Sequence, residues 1–265
     1  MPKIQVNEIE LFYEIKGTGE PLLLIAGFMC DRSYWSLLLP YLVSQYQVIR
    51  FDNRGIGQTS APDSLYSIQQ MANDTAVLLD ILGLNQVHVA GHSMGGQIAQ
   101  ELAISYPQKV KSLILFSSLT KGNERFNSII KAWGDITAKL DLNLYEQLIL
   151  PWIFTDDFYS IPGMVDQLIE WAINYPYAPK AHGLYHQSRA IINHDATSRI
   201  KYINCPTLVM VGKQDILTPV KFSEQLAQGI PLAELIVIEH GGHGFLIEST
   251  EVIAKAILKF LGKFQ

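Results

Sequence analysis

Cysteine is scarce: Cys30 and Cys205 are the only two in 265 residues. So low a count gives no sign of a disulfide framework, and a reducing cytoplasm is the expected compartment. Long apolar runs are missing as well. The longest, near Leu22–Cys30, falls far short of the roughly 18 residues that a membrane-spanning helix needs. The amino-terminal MPKIQVNEIELFYEIKG alternates polar and apolar residues, which reads as strand and not as a signal peptide. Basic charge is the third shortage. The net charge is −5 and no cluster of Lys or Arg stands out, which argues against nucleic acid or a membrane surface as partner. No Walker A motif, internal repeat or low-complexity stretch occurs.

What is present is core material: 48% of the residues are hydrophobic and 17% charged. The length suits a single α/β domain with an insertion. Lys3–Val6 and Glu10–Ile15 read as a hairpin turning near Asn7-Glu8. The continuous apolar run PLLLIAG (Pro21 to Gly27) and YQVIRFD (Tyr46 to Asp52) suit strands covered on both faces. Gln86–Ala90, Ser112–Phe116, Pro206–Val211 and Glu234–Ile238 continue the strand series. Helical spacing appears at Ser33–Ser44, Tyr66–Leu82, Ser93–Tyr106, Val220–Gln228 and Thr250–Leu261. This alternation predicts an α/β fold with a mostly parallel central sheet flanked by helices. Residues 121–201 break the rhythm. They hold 11 of the 27 aromatics, so they read as a helical lid with some core of its own, inserted between sheet strands. The expected domains are a core of 1–120 and 202–265 and a lid of 121–201.

The stretch VHVAGHSMGGQIAQELA places Ser93 between glycines where a strand becomes a helix. A tight turn needs the glycines but not the serine. In Gly91-x-Ser93-x-Gly95 a sharp strand-to-helix turn strains the serine backbone and brings the neighbours two residues away into collision, so glycine belongs at both. A serine hydroxyl at neutral pH needs a base, a group to orient that base, and donors for an oxyanion. Asp215 follows the strand TLVMVG, and His243 follows ELIVIE within HGGHG. Both sit just past the carboxyl ends of strands, where they can converge on Ser93. The oxyanion donors expected are the backbone N–H groups of Met94 and of Phe28, in the loop after the first buried strand.

Together GHSMGG, DNRGIGQT, GKQD and HGGHG, in that order along nearly the whole chain, resemble the α/β-hydrolase fold superfamily. FDNRGIGQTSAP and LPWIFTDDF are similar to its 3-oxoadipate enol-lactonase and carboxylesterase branch. The resemblance implies a cofactor-free hydrolase with Ser93 as nucleophile, Asp215 as orienting acid, His243 as base and Phe28 with Met94 as oxyanion hole. The chain departs from many relatives by Ala26 where they carry His before glycine, and by Thr59 where they carry Ser.

His240 rivals His243 but lacks its paired preceding glycines, and reads as structural. His240-x-x-His243 has no third ligand nearby, so no metal is expected. His182 and His186 share a helix face, but Gly183 stands where HExxH requires glutamate. Ser60 breaks the GxGxxG spacing at Gly55-Ile56-Gly57, so no dinucleotide is expected. His92 reads as packed and hydrogen-bonded, Cys30 as a small buried residue, Asp52 and Arg54 as a loop-pinning ion pair. Trp133, Trp152, Phe154 and Trp171 read mostly as lid core, with some expected to face the pocket. The activity expected is cleavage of a small carboxylic ester, thioester or lactone through an acyl-enzyme on Ser93. The alternatives are a perhydrolase or C–C hydrolase with the same triad, or a slow-turnover ligand receptor using the same pocket. A dehalogenase would need Asp at position 93. An acyl carrier protein as partner draws no support, because acidic residues outnumber basic ones in the lid.

Overall fold

The computed structural model describes residues 3–264; Met1, Pro2 and Gln265, at the ends of the expected core domain, lie outside the described residues. The strands are β1 (Lys3–Val6), β2 (Ile9–Lys16), β3 (Glu20–Ile25), β4 (Tyr46–Phe51), β5 (Val87–His92), β6 (Val110–Phe116), β7 (Thr207–Gly212) and β8 (Ala233–Ile238). The helices are α1 (Leu39–Leu42), α2 (Ile68–Ile81), α3 (Met94–Ser105), α4 (Glu124–Ile136), α5 (Leu142–Ile153), α6 (Asp156–Tyr159), α7 (Met164–Asn174), α8 (Ala181–Ile192), α9 (Val220–Gly229), α10 (Phe245–Glu248) and α11 (Thr250–Leu261).

The strands form one sheet in the order β1-β2-β4-β3-β5-β6-β7-β8. β2 pairs antiparallel with β1 and β4, and every later pair is parallel. Period-two alternation divides the core. Leu23 and Ile25 join the apolar cluster that includes Leu79 of α2, Ile98 of α3 and Leu226 of α9. Leu22 and Leu24 join the opposite cluster, with Leu42 of α1 and Ile257 of α11. Every residue of β5 and β7 is buried, which is why these segments read as continuous apolar runs. Each such leucine withdrawn from water contributes roughly 1.5–3 kcal/mol before chain entropy is charged against it. Helix ends follow local signals: the Ser67 hydroxyl accepts from the Gln70 N–H to open α2, and Gly83, at φ +69°, follows its end.

Helices α4 to α8 lie between β6 and β7 in the chain. They enter and leave through a neck where Lys121 bridges Asp195 and the Ala196 N–H donates to the Thr120 carbonyl. α4 buries Phe126, Ile130 and Trp133. Leu150, Phe154, Phe158 and Ile169 form a small cluster of their own, the two phenyl rings stacked 4.1 Å apart. His182 donates to the Ala61 carbonyl and His186 bonds Asp63, both at 2.9 Å, so this histidine pair pins α8 to the loop after β4. Trp171 departs from the lid-core expectation: it is 53% exposed, its ring lying 5.0 Å from that of Tyr175.

Two other expectations are corrected. The helix expected at Ser33–Ser44 is a 3-10 turn (Arg32–Trp35) followed by the single-turn α1. Pro40 sits in the first turn of α1, and lacking an N–H it cannot continue a helix begun at Ser33. Asp52 and Arg54 do not pair with each other. Asp52 binds Arg32, and Arg54 binds Asp74 and Glu8.

Candidate active site

Ser93 occupies the junction of β5 and α3 with φ +53° and ψ −115°, a region that L-residues enter only at a cost of about 1–3 kcal/mol. Surrounding contacts hold it there. Its N–H donates to the Phe116 carbonyl at 2.9 Å, and its own carbonyl accepts from the Ser118 hydroxyl at 2.9 Å. A Cβ on Gly91 would overlap the Gly95 carbonyl, and one on Gly95 would overlap the Ile25 carbonyl. The turn therefore closes only with glycine at both places.

Asp215 leaves β7 and is fully buried. Its Oδ1 accepts from the Leu217 and Thr218 N–H groups at 3.0 and 2.7 Å, and its Oδ2 accepts from the Thr218 hydroxyl at 2.7 Å. His243 follows β8. Its Nδ1 lies 2.9 Å from Asp215 Oδ2 and its Nε2 lies 3.1 Å from Ser93 Oγ. With Nδ1–H donated to the carboxylate, Nε2 presents its lone pair to the serine hydroxyl. Burial pushes the Asp215 carboxyl up, but the charge and hydrogen bond of His243 and the bonds from Thr218 outweigh it and hold the group below the usual range.

The first-strand loop comes to the same place. Gly27 lies so close to Ser93 that a side chain there would press on the serine Cβ. Phe28 follows at once, and neither its N–H nor that of Met94 has an acceptor among the described residues. Met94 follows the serine directly and opens a helix, where partial positive charge collects, and Phe28 adjoins Gly27 on the neighbouring loop.

The loop carrying His243 is held from three directions. His92 Nε2–H donates to the His243 carbonyl at 3.0 Å, the Gly244 N–H donates to the Ile153 carbonyl at 2.8 Å, and the Gly242 N–H donates to Glu248 at 2.6 Å. Burial first, and then the charge of His243, pushes His92 down to about 3, so it serves as a neutral donor. Sequence reasoning placed Ser93, Asp215, His243, Phe28 and Met94 at this centre, and the structure brings all five together. It missed Thr218 and Glu248. Thr218 carried a local signal, an aspartate three residues before a threonine, the spacing of a side-chain cap. Glu248 carried none.

Two family models match the chain: one described as alpha/beta hydrolase fold over residues 20–150, the other as TAP-like protein over residues 185–264. The chain is an alpha/beta hydrolase. Among curated proteins the hydrolase is 29% identical over 266 residues to the "Putative carbamate hydrolase RutD" of Azorhizobium caulinodans, covering 99% of each chain. Among solved structures it superimposes on a thermophilic esterase from Thermogutta terrifontis with a TM-score of 0.89 and 27% identity, covering 99% and 98% of the two chains. It shares its fold with the enol-lactonase of Burkholderia xenovorans LB400, at a TM-score of 0.90 and 24% identity over 98% and 100%. The family and these relatives make it a hydrolytic enzyme.

Proposed function

We propose that this hydrolase cleaves a small carboxylic ester, thioester or lactone through an acyl-enzyme on Ser93. The observation that supports this reading best is the unbroken chain from Ser93 Oγ to His243 to Asp215, at 3.1 and 2.9 Å. His243 Nε2 takes the hydroxyl proton as Oγ attacks the carbonyl carbon. Asp215 fixes the ring and stabilises the imidazolium. The Phe28 and Met94 N–H groups bind the developing oxyanion, an interaction that strengthens as charge builds on oxygen. His243 then protonates the leaving oxygen or sulfur. In the second half-reaction it draws a proton from water, which attacks the acyl-enzyme and frees the acid and Ser93.

The test is hydrolysis of p-nitrophenyl acetate by the wild type and by Ser93→Ala, with mass spectrometry after labelling by fluorophosphonates of increasing chain length. The expected result is covalent mass on the peptide bearing Ser93, a loss of about 10³-fold or more in the variant, and a chain-length cut-off that sizes the acyl pocket. Equal turnover by the two proteins would refute the reading.

The name of the curated relative supports a second substrate class, carbamates. The same attack on a carbamate carbonyl would give a carbamoyl-enzyme, and p-nitrophenyl carbamates compared with the matching acetates distinguish the two classes.

A further inference from the structure

Carboxylates withdrawn from water in this structure have partners. Glu14 and Asp52 face Arg32, Asp74 faces Arg54, Glu101 faces Arg199 and Asp215 faces His243, and the remaining ones are bonded as well. Glu146 is the exception. It is partly buried on α5, yet no hydrogen bond or ion pair joins it to another described residue. Burial alone pushes its carboxyl up to about 7. An unpaired acid in such a place carries a desolvation penalty that nothing in the fold offsets.

Its position ties it to the Ser93 centre. α5 reaches from one wall of that centre to the other. At its start the Tyr145 hydroxyl contacts Met29 Sδ at 3.4 Å, beside Phe28. At its end the Ile153 carbonyl holds Gly244, beside His243. Glu146, Leu150 and Ile153 share a helix face by their spacing. Leu150 and Ile153 belong to a cluster with Phe158, Ile169 and Ile247, the last of them next to the His243 loop, and the charge of Glu146 acts on the Cys30 thiol at the other wall.

We propose that the substrate supplies the partner Glu146 lacks: a cationic or N–H-donating group on the acyl or leaving portion of the ester. Glu146 is thus a specificity-determining residue for the reaction proposed above, on which this inference rests. An ionised Glu146 opposes carboxylate-bearing substrates, and it also opposes charge growing on the oxyanion. An ammonium or amide group seated against it removes both penalties and adds a charge-assisted hydrogen bond or ion pair.

The experiment compares matched pairs. One pair is butyrylthiocholine and its neutral carbon isostere, with the cation on the leaving side. The other is the p-nitrophenyl ester of γ-trimethylammoniobutyrate and its neutral isostere, with the cation on the acyl side. In at least one pair the wild type should favour the cation by about ten-fold in kcat/KM, the size of one charge-assisted contact. Glu146→Gln should bring that ratio close to one, and Glu146→Lys should shift preference towards the p-nitrophenyl monoester of glutarate. Because each ratio is taken within one protein, partial loss of folded enzyme cancels. Wild-type ratios near one in both pairs, or a cation preference that survives Glu146→Gln, overturn the proposal. If neither neutral isostere is hydrolysed, the esterase reading fails by itself. The cation site is then judged by calorimetry with pentyltrimethylammonium on Ser93→Ala and on Ser93→Ala with Glu146→Gln. A Kd raised about ten-fold by the second change supports it, and an unchanged Kd or no binding overturns it.

Discussion

Replacing Thr218 by valine removes one hydroxyl from the support of the Asp215–His243 pair and leaves the side-chain volume almost unchanged. The Thr218 oxygen lies 2.7 Å from Asp215 Oδ2, 3.0 Å from His243 Nδ1 and 3.2 Å from the Ser117 carbonyl. A hydroxyl has one proton to give, and the closest acceptor is the buried carboxylate. A hydrogen bond to a charged acceptor is worth about 1.5–3 kcal/mol, and Asp215 keeps its bonds from the Leu217 and Thr218 N–H groups and from His243, so the carboxylate is weakened but not orphaned. The expected loss of stability is about 2 kcal/mol, read as a lower denaturant midpoint at an unchanged slope. The same bond fixes the oxygen that orients His243, so kcat/KM for an ester should fall about ten- to thirty-fold, the rate equivalent of about 1.4–2 kcal/mol. Loss of the donor also lets the Asp215 carboxyl rise towards the usual carboxylate range. Thr218→Ser keeps the hydroxyl and should recover most of both losses. The reasoning is wrong if valine changes neither stability nor rate, or if serine does as much damage as valine, for then the methyl group and not the hydrogen bond matters.

Gly95→Ala should cost about 3 kcal/mol or more, because the new Cβ would overlap the Ile25 and Ala26 carbonyl oxygens, which are backbone and cannot swing aside. Gly262→Ala serves as its control, with φ −62° and nothing within 4 Å of the added atom, and should leave the melting temperature level or slightly raised. Acid should destabilise the protein through its buried histidines. Burial pushes His194 down to about 4 and His92 to about 3, below an ordinary value of 6.5, so the unfolded chain binds protons first. Their contribution is intact above pH 6.5 and drains away as pH falls towards those values, at roughly 1.4 kcal/mol per histidine per pH unit. Guanidinium unfolding at about pH 7 and pH 5 should therefore show a drop on the order of 4 kcal/mol for the two together, and His194→Gln should remove about half of it; a curve that is flat or rises on acidification contradicts the assignment.

The turn at Ser93 could be read from sequence because its cause is local: two glycines whose missing Cβ atoms let β5, α3 and the end of β3 meet. Asp215 and His243 were legible for a different reason, since a parallel sheet collects whatever follows the carboxyl ends of its strands along one edge. The break at Pro40 was also legible and shows how apolar spacing can mislead, since the apolar residues from Trp35 to Leu42 keep helical intervals across a residue that cannot donate. Arg32–Asp52 and Arg54–Asp74 were not legible, because each joins loops or helices 20 residues apart and nothing in the local pattern selects one partner over another. Glu146 is the extreme case: in the sequence it is one more charge on an amphipathic helix, and only the fold shows that, among the described residues, it is the carboxylate withdrawn from water without a partner.

Glu248 explains why helices α4 to α8 matter to the chemistry and not only to access. Its carboxylate accepts from Gly242 N–H at 2.6 Å on the His243 loop, and from the N–H and hydroxyl of Thr155 at 2.9 and 2.7 Å, just past α5. The Ile153 carbonyl meets Gly244 on the other side of the same histidine. A loop with glycine on both sides of its functional residue has little conformational preference of its own. Its geometry must come from outside: the bonds at Gly242 and Gly244 lead to the helical segment, through Glu248 and directly, while His92 holds the His243 carbonyl and Gln214 holds Gly241 from the core. Reach and rigidity are thus divided between the two: the glycines let His243 approach Ser93, and the segment between β6 and β7 holds it there. A substitution that displaces that segment should therefore displace His243 as well.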